Sequence, residues 1–234
     1  MSRDTRITGL PRFTRVDAPP PFELCFAELG AEPDEVELAV LSAHERQRAE
    51  RFVFPRDSRR FRAAHVALRL ALAERIGVNA GAIRFVEGPF GKPAIEGEPA
   101  CAFNLTHSGD VALIALADGA EIGVDAEVMR VVDDATALAR RHFTTAECAQ
   151  LEHAAESQRD LVFLRCWTRK EACLKAIGSG LSIAPETFEA GADGASRQVR
   201  IEMPQGVAAV EVHTLETMPG IVAAIARWVP PAPA

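Results

Sequence analysis

The stretch QRDLVFLRCWTRKEACLKAIG, residues 158–178, predicts a long helix that ends at a glycine. A glycine at 180 follows, and together the two glycines are expected to give the helix a tight exit. The first half of the chain has a counterpart in PRDSRRFRAAHVALRLALAERIG, residues 55–77. This segment begins at a proline, carries apolar residues at helical spacing and also ends at a glycine. Each half of the chain therefore supplies one long helix.

Segments typical of strands accompany each long helix. In the first half they are PFELCFAEL, AIRFVEG and CAFNLTHSGDVALIAL, the last interpreted as strand, loop and strand. In the second half they are EIGVDAEVM, FEAGAD, RQVRIEMP, AAVEVHTLE and GIVAAIARWV. Shorter helices are predicted in LSAHERQRAERF, which opens with a serine cap, and in DDATALARRHF and TTAECAQLEHA.

These elements predict an α+β fold made of two similar halves, residues 1–119 and 120–234. Each half is expected to be an antiparallel sheet packed with its long helix. The two halves would form a pseudo-dimer with the active site in the cleft between them. The terminal PPAPA is expected to be loose.

Composition limits the classes of protein that this chain can belong to. At 234 residues, with 48% hydrophobic and 25% charged residues, it can bury the core of a globular protein. It has no run of about 18 apolar residues that could span a membrane, and the first 21 residues lack the apolar core of a signal peptide. The five cysteines include no CxxC pair, which argues against zinc and a disulfide framework. We therefore expect a cytoplasmic protein with reduced thiols.

The charge is distributed unevenly. The chain has a net charge of −7, yet residues 44–75 carry +5, so the remainder carries −12. A concentration of arginine on an acidic protein indicates an anionic ligand held at one place, although a solvated basic helix face would give the same pattern. Nucleic acid is not an expected partner, because the rest of the chain would repel phosphate.

Two segments supply acidic residues for a possible metal site. If IGVDAE is a strand, Asp125 and Glu127 point to the same face, where they are either solvated or held by a cation. On the long helix, Glu171 and Lys175 are four residues apart, which suits a surface ion pair. Alternatively, Glu171 joins the other two acids as a third oxygen ligand of the kind that Mg²⁺ prefers. Lys175 would then lie beside the metal as a proton donor or a charge clamp.

A third polar segment could face an anion. FNLTHSGD places Thr106, His107 and Ser108 where one predicted strand ends and the next begins. Lys92, in GKP twelve residues before this segment, is one of only three lysines. Each of these side chains could equally be a solvated loop residue.

Taken together, GKP, FNLTHSGD, IGVDAE, FTTAE and WTRKEACLKAIGSGL, in this order and spacing, resemble the Sfp-type 4′-phosphopantetheinyl transferases. The resemblance runs from about residue 42 to residue 181. That family's pseudo-dimeric α+β fold agrees with the layout predicted above.

The resemblance implies a role for each matching residue. The implied Mg²⁺ ligands are Asp125, Glu127 and Glu171. The implied catalytic residues are Glu171 and Lys175. The implied coenzyme A contacts are Arg48, Arg60, Lys92, Thr106, His107 and Lys175, with the arginines at the nucleotide 3′-phosphate. Glu45 stands where some members carry a basic residue, which would remove one phosphate contact.

The implied reaction transfers 4′-phosphopantetheine from coenzyme A to a serine of an apo acyl or peptidyl carrier protein. The carrier would serve fatty-acid, polyketide, nonribosomal peptide or siderophore assembly, and the enzyme would be a monomer. Two other classes use the same residues: a different Mg²⁺-dependent phosphoryl-transfer or hydrolytic enzyme, and a coenzyme A-binding protein without catalysis.

Overall fold

The computed structural model describes residues 12–88, 90–97, 101–179, 182–216 and 218–229. The predicted exit at Gly180, the tail at 230–234 and the beginning of the N-terminal segment lie outside these residues. Within them, no helix is long and apolar enough to cross a membrane.

The first half contains a four-stranded antiparallel sheet in the order β1-β2-β6-β5. Its strands are β1 Thr14–Val16, β2 Glu23–Glu28, β5 Cys101–Ser108 and β6 Val111–Asp118. Two short strands, β3 Phe85–Glu87 and β4 Pro93–Ile95, form a separate ribbon. The helices are α1 Glu35–Leu38, α2 Ala43–Glu50 and α3 Pro55–Ile76.

The long helix α3 confirms the prediction made from its sequence. Pro55 occupies its first turn, and Gly77 ends it in the left-handed conformation, with φ at 73°. Its apolar face, which includes Leu68 and Leu72, packs with Phe103 and Ile114 of the sheet in one core cluster.

The second half contains the sheet β7-β10-β9-β8, also antiparallel. Its strands are β7 Ile122–Val128, β8 Arg197–Met203, β9 Gly206–Leu215 and β10 Ile221–Val229. The helices are α4 Ala135–His142, α5 Thr145–His153 and α6 Arg159–Ile177. Helix α6 ends at Gly178, as its sequence predicts, with φ at 66°.

The two halves share buried surface. One core cluster combines Leu24 and Leu113 of the first sheet with Val124 and Ile225 of the second. Strand β5 also reaches β7 through its side chains, because Asn104 Oδ1 accepts a hydrogen bond from the Val124 N–H at 2.9 Å. The C-terminal parts of β5 and β7, which carry the polar residues singled out in the sequence, therefore lie side by side.

Two predictions of local structure were wrong. The segment FEAGAD, residues 188–193, is not a strand. Its backbone is bonded to side chains instead: Lys170 Nζ donates to the Phe188 carbonyl, Arg169 Nε donates to the Ala190 carbonyl, and Glu147 accepts from the Ala190 N–H.

The second error concerns residues 106–108, which were predicted to lie in a loop. They form the last three positions of β5, and the turn to β6 comes at residues 109–110. Register explains the difference, since His107 and Ser108 pair with Ala112 and Val111 of β6.

Candidate active site

Strand β7 and helix α6 carry the acidic residues predicted to bind a metal. On β7, Asp125 and Glu127 alternate with Val124 and Ala126, which belong to the core cluster shared by the two halves. They pair with Ala224 and Val222 of β10. Asp125 is buried and Glu127 is half-buried. Because Asp125 and Glu127 are two residues apart on a strand, their side chains lie on the same face of β7, as predicted.

Gly123 allows α6 to pack directly on β7. A Cβ atom at this position would lie 2.2 Å from the carbonyl oxygen of Ala172 and 2.4 Å from the nitrogen of Ala176. Only a residue without a side chain permits this approach. The sequence interpretation gave Gly123 no role, although an isolated glycine inside a strand pattern is the signal of a close backbone contact.

The approach of α6 places Lys175 against Asp125. Its Nζ lies 2.6 Å from Asp125 Oδ1 and also donates to Thr106 Oγ1 and the Val124 carbonyl, each at 3.2 Å. The Thr106 hydroxyl donates to the same Asp125 oxygen at 3.1 Å. In the described part of the chain no ion pair joins Lys175 to Glu171. The surface-pair interpretation of these two residues is therefore wrong.

Glu171 shares the electrostatic environment of the other two acids. Burial raises the pKa of its carboxyl, and the negative charges of Asp125 and Glu127 raise it further, while Lys175 opposes them. Burial likewise raises the pKa of Asp125, against the effects of Lys175 and Thr106. The charges of Asp125 and Glu127 therefore act on Glu171, and the Lys175 ammonium opposes them.

This donor set suits Mg²⁺ chemically, since carboxylate oxygens are its preferred protein ligands and a cation would relieve the crowding of negative charge. As positioned, however, the described side chains do not form a ready-made cluster of three metal ligands. Asp125 is bonded to Lys175 and Thr106, and Glu127 accepts a hydrogen bond from the Ser108 hydroxyl at 2.9 Å.

A cavity of about 280 Å³ is lined by one of the three acids, Glu171, together with Lys175. It is bordered from the first half by the ribbon and β5, and from the second half by α6. Its walls include Lys92, Pro93, Asn104, Glu171, Leu174 and Lys175. Lys92 Nζ bridges the two halves, because it bonds to Glu121 at 2.6 Å and to the Ile122 carbonyl at 3.0 Å.

The remaining predicted coenzyme A contacts lie towards α2 and α3. Desolvation lowers the pKa of His107, and the charges of Lys175, His65 and Arg60 lower it further. Arg60 bonds to Asp110 in the β5–β6 turn at 2.9 Å. Arg48 lies over the Phe61 ring, with its guanidinium carbon 5.3 Å from the ring centroid.

Glu45 is a buried structural residue. It accepts hydrogen bonds from the Ser42 backbone N–H and from Arg69 Nε, each at 2.8 Å, and lies 3.0 Å from His65 Nδ1. Burial alone would raise the pKa of Glu45, but His65, Ser42 and Arg69 together lower it to about 2. The acid therefore ties α2 to α3.

The motif FTTAE also has a structural role, which the sequence interpretation did not assign. Thr144 and Glu147 form a capping box at the start of α5. The buried carboxylate of Glu147 pairs with Lys170 Nζ at 2.7 Å and accepts from the Gly191 N–H at 2.9 Å. This network holds α6 against α5 and against the loop that follows α6. The spacing of threonine and glutamate was the available signal.

Two protein-family models match consecutive stretches of the chain. Residues 121–226 match the model of the 4′-phosphopantetheinyl transferase superfamily, and residues 32–118 match the model of the 4′-phosphopantetheinyl transferase N-terminal region. The 4′-phosphopantetheinyl transferase ffp of Bacillus subtilis is 30% identical over 183 residues, which are 78% of this chain and 80% of ffp. The chain belongs to the 4′-phosphopantetheinyl transferase family.

Two cyanobacterial relatives are more similar over a shorter span. HetI of Nostoc sp., named as a 4′-phosphopantetheinyl transferase, is 40% identical over 147 residues, covering 62% of this chain and 62% of HetI. The protein slr0495 of Synechocystis sp. is 39% identical over 146 residues, covering 62% of this chain and 59% of slr0495. The chain thus spans about three fifths of the length of these two members of the 4′-phosphopantetheinyl transferase family.

Proposed function

We propose that this protein transfers 4′-phosphopantetheine from coenzyme A to a serine hydroxyl of an apo acyl or peptidyl carrier protein. The products are the holo-carrier protein and adenosine 3′,5′-bisphosphate. The observation that carries the proposal is the convergence of Asp125, Glu171 and Lys175 beside a cavity bordered by both halves. Membership of the family supports the same reaction.

The proposal includes a pseudo-dimeric arrangement of two units, residues 1–119 and 120–234. In support, each half has one four-stranded antiparallel sheet and one long helix. The two family models also divide between residues 118 and 121. The first unit would supply most nucleotide contacts, and the second would supply the acids and the catalytic helix.

Asp125, Glu127 and Glu171 would hold Mg²⁺. When bound, the ion would neutralise the diphosphate of coenzyme A and help to hold it for in-line attack. Both Asp125 and Glu127 already accept hydrogen bonds from β5, through Thr106 and Ser108, so their carboxylates are oriented before any ligand arrives.

The reaction forms one phosphorus–oxygen bond and breaks another. The serine oxygen of the carrier attacks the β-phosphorus, and the bond from this phosphorus to the nucleotide breaks. Glu171 accepts the serine proton, directly or through a water molecule. Lys175 stabilises or protonates the leaving phosphate, since its ammonium group lies at the cavity wall beside Asp125.

The nucleotide end of coenzyme A would lie towards α3. Arg60 and Arg48 would contact the 3′-phosphate, while Lys92, Thr106 and His107 would position the rest of the nucleotide and the diphosphate. The proposed setting is the cytoplasm, with a monomeric enzyme and a carrier that serves fatty-acid, polyketide, nonribosomal peptide or siderophore assembly. Because carrier proteins are acidic, an apolar and basic acceptor surface along the cleft would bind them.

A labelling experiment tests the proposal. The protein is incubated with fluorescent coenzyme A, a panel of apo-carrier proteins, and either Mg²⁺ or a chelator. We expect covalent labelling of a carrier with Mg²⁺ and none with the chelator. Asp125→Asn should abolish labelling, whereas Glu202→Gln, which changes an exposed carboxylate on β8, should leave it unchanged.

The outcomes separate the three classes of protein. Binding of coenzyme A without labelling of any carrier would favour a non-catalytic coenzyme A-binding protein. Release of nucleotide without a labelled carrier would favour a hydrolase that uses the same acids. Labelling of equal rate in the presence of the chelator would contradict the metal site.

A further inference from the structure

Helix α3 carries a histidine that the proposed mechanism does not use. His65 is half-buried and faces α2, where its Nδ1 lies 3.0 Å from Glu45 Oε1. Its ring stacks on Phe61, with the ring centroids 4.0 Å apart and the planes inclined at 31°. Both contacts hold the imidazole in one orientation.

The contact with Glu45 decides which ring nitrogen is available for a ligand. Glu45 is ionised, because its pKa is lowered to about 2, and a carboxylate only accepts hydrogen bonds. Nδ1 therefore carries the hydrogen. Within the described residues, Nε2 of His65 has no partner. Nε2 donates a hydrogen bond only when both ring nitrogens carry a hydrogen.

The surroundings of His65 are those of the proposed nucleotide site. Arg48 lies over the Phe61 ring on which His65 stacks. The charge of His65 also acts on His107 together with that of Arg60. His65 therefore lies beside Arg48 and Glu45 of α2, around the Phe61 ring of α3.

We propose that His65 donates a hydrogen bond from Nε2 to the 3′-phosphate of coenzyme A, and that Glu45 orients its ring for this contact. The inference rests on the proposed use of coenzyme A. A histidine on α3, backed by a buried acid, would thus take the place of the basic residue that some family members carry at position 45. The imidazolium would be shared between the Glu45 carboxylate on one side and the ligand phosphate on the other.

Ligand discrimination tests this assignment. Binding of coenzyme A and of 3′-dephospho-coenzyme A, which lacks only the phosphate in question, is measured by calorimetry for the wild type and for His65→Asn. Asparagine can keep the bond to Glu45 but cannot reach the Nε2 position. We expect His65→Asn to weaken coenzyme A by roughly tenfold or more, as is typical for a lost hydrogen bond to a charged group, and 3′-dephospho-coenzyme A by less than about twofold.

The control is His153→Asn, because His153 is exposed on α5 and bonds only within its own helix. It should change neither affinity. Thermal unfolding verifies that His65→Asn is folded, and if it is not, His65→Ala, which removes both ring nitrogens, is compared with the two ligands in the same way. Equal weakening of both ligands, or no weakening, would overturn the role of His65, as would a wild type that does not distinguish the two ligands. Failure of the wild type to bind either ligand would instead contradict the proposed function.

Discussion

Replacement of Gly123 by alanine tests the contact on which the whole site depends. The new Cβ would lie 2.2 Å from the Ala172 carbonyl oxygen, about 0.8 Å inside the 3.0 Å below which real Cβ contacts essentially do not occur. It would also lie 2.4 Å from the Ala176 nitrogen and 2.8 Å from the Lys175 carbonyl carbon. All three atoms are backbone atoms of α6, so no side chain can turn aside to make room. Helix α6 and strand β7 must therefore move apart.

The cost follows from the position of these atoms. Overpacking of a core lowers the free energy of unfolding by about 1–3 kcal/mol. Because the new Cβ meets a rigid helix backbone, we expect Gly123→Ala to lie near the upper end of this range. For a chain of this length, about 3 kcal/mol lowers the melting temperature by about 6–12 °C. Transfer should fall further than stability, because a displacement near 1 Å moves Lys175 away from Asp125 and can cost about 10²-fold in rate.

Urea and thermal unfolding, together with single-turnover labelling corrected for the folded fraction, would measure both effects. The matched control is Gly30→Ala, since Gly30 has no atom within 4 Å of the added Cβ and should change stability by less than about 0.5 kcal/mol. If Gly123→Ala unfolds with the same free energy as Gly30→Ala and keeps its transfer rate, then α6 does not approach β7 as closely as described.

Three further changes test other parts of the structure. The pKa of Glu45 is about 2 in the folded protein against an ordinary 4.5, so above pH 5 the acid contributes about 3 kcal/mol of folding stability, which is lost as the pH falls towards 2. The difference in unfolding free energy between wild type and Glu45→Gln should therefore shrink over that range, and a difference independent of pH would contradict this. Lys170→Met leaves the Glu147 carboxylate buried without its ammonium partner and should lower the free energy of unfolding by about 3–5 kcal/mol. The double variant that also carries Glu147→Gln should lose clearly less, and additive losses in urea unfolding would refute the coupling of the two residues. Lys175→Met should slow single-turnover transfer by at least about 10²-fold while coenzyme A still binds in calorimetry, and transfer at the wild-type rate would exclude the lysine from catalysis.

Much of the fold could be predicted because local signals coincided with tertiary structure. Ser42 begins α2 with a capping box, and proline and glycine bound α3 at residues 55 and 77. Such positions are decided by neighbours close in sequence. Residues 188–193 could not be predicted in this way, since their backbone partners are side chains of Glu147, Arg169 and Lys170, which are distant in sequence.

The site shows the same limit. The spacing of the residues left Asp125 and Glu127 open to solvation and Lys175 free to pair with Glu171 on the helix surface, and only the family resemblance implied roles for them. The structure shows that the lysine bonds to Asp125, a choice that depends on how closely α6 packs on β7 at Gly123. The role of His65 was equally hidden, because its partner Glu45 lies on another helix.

The side chains that link β5 to β7 also restrict how members of this family could be recombined. Asn104, Thr106 and Ser108 alternate along β5, and each bonds to a group on β7. A chimera that joined a foreign segment 1–119 to residues 120–234 would keep the contacts to Val124, Asp125 and Val128 only if the donor half brought an amide and two hydroxyls at these three positions. Strands β5 and β7 therefore have to match each other, and an exchange of halves succeeds when the new first half carries the polar residues at positions 104, 106 and 108.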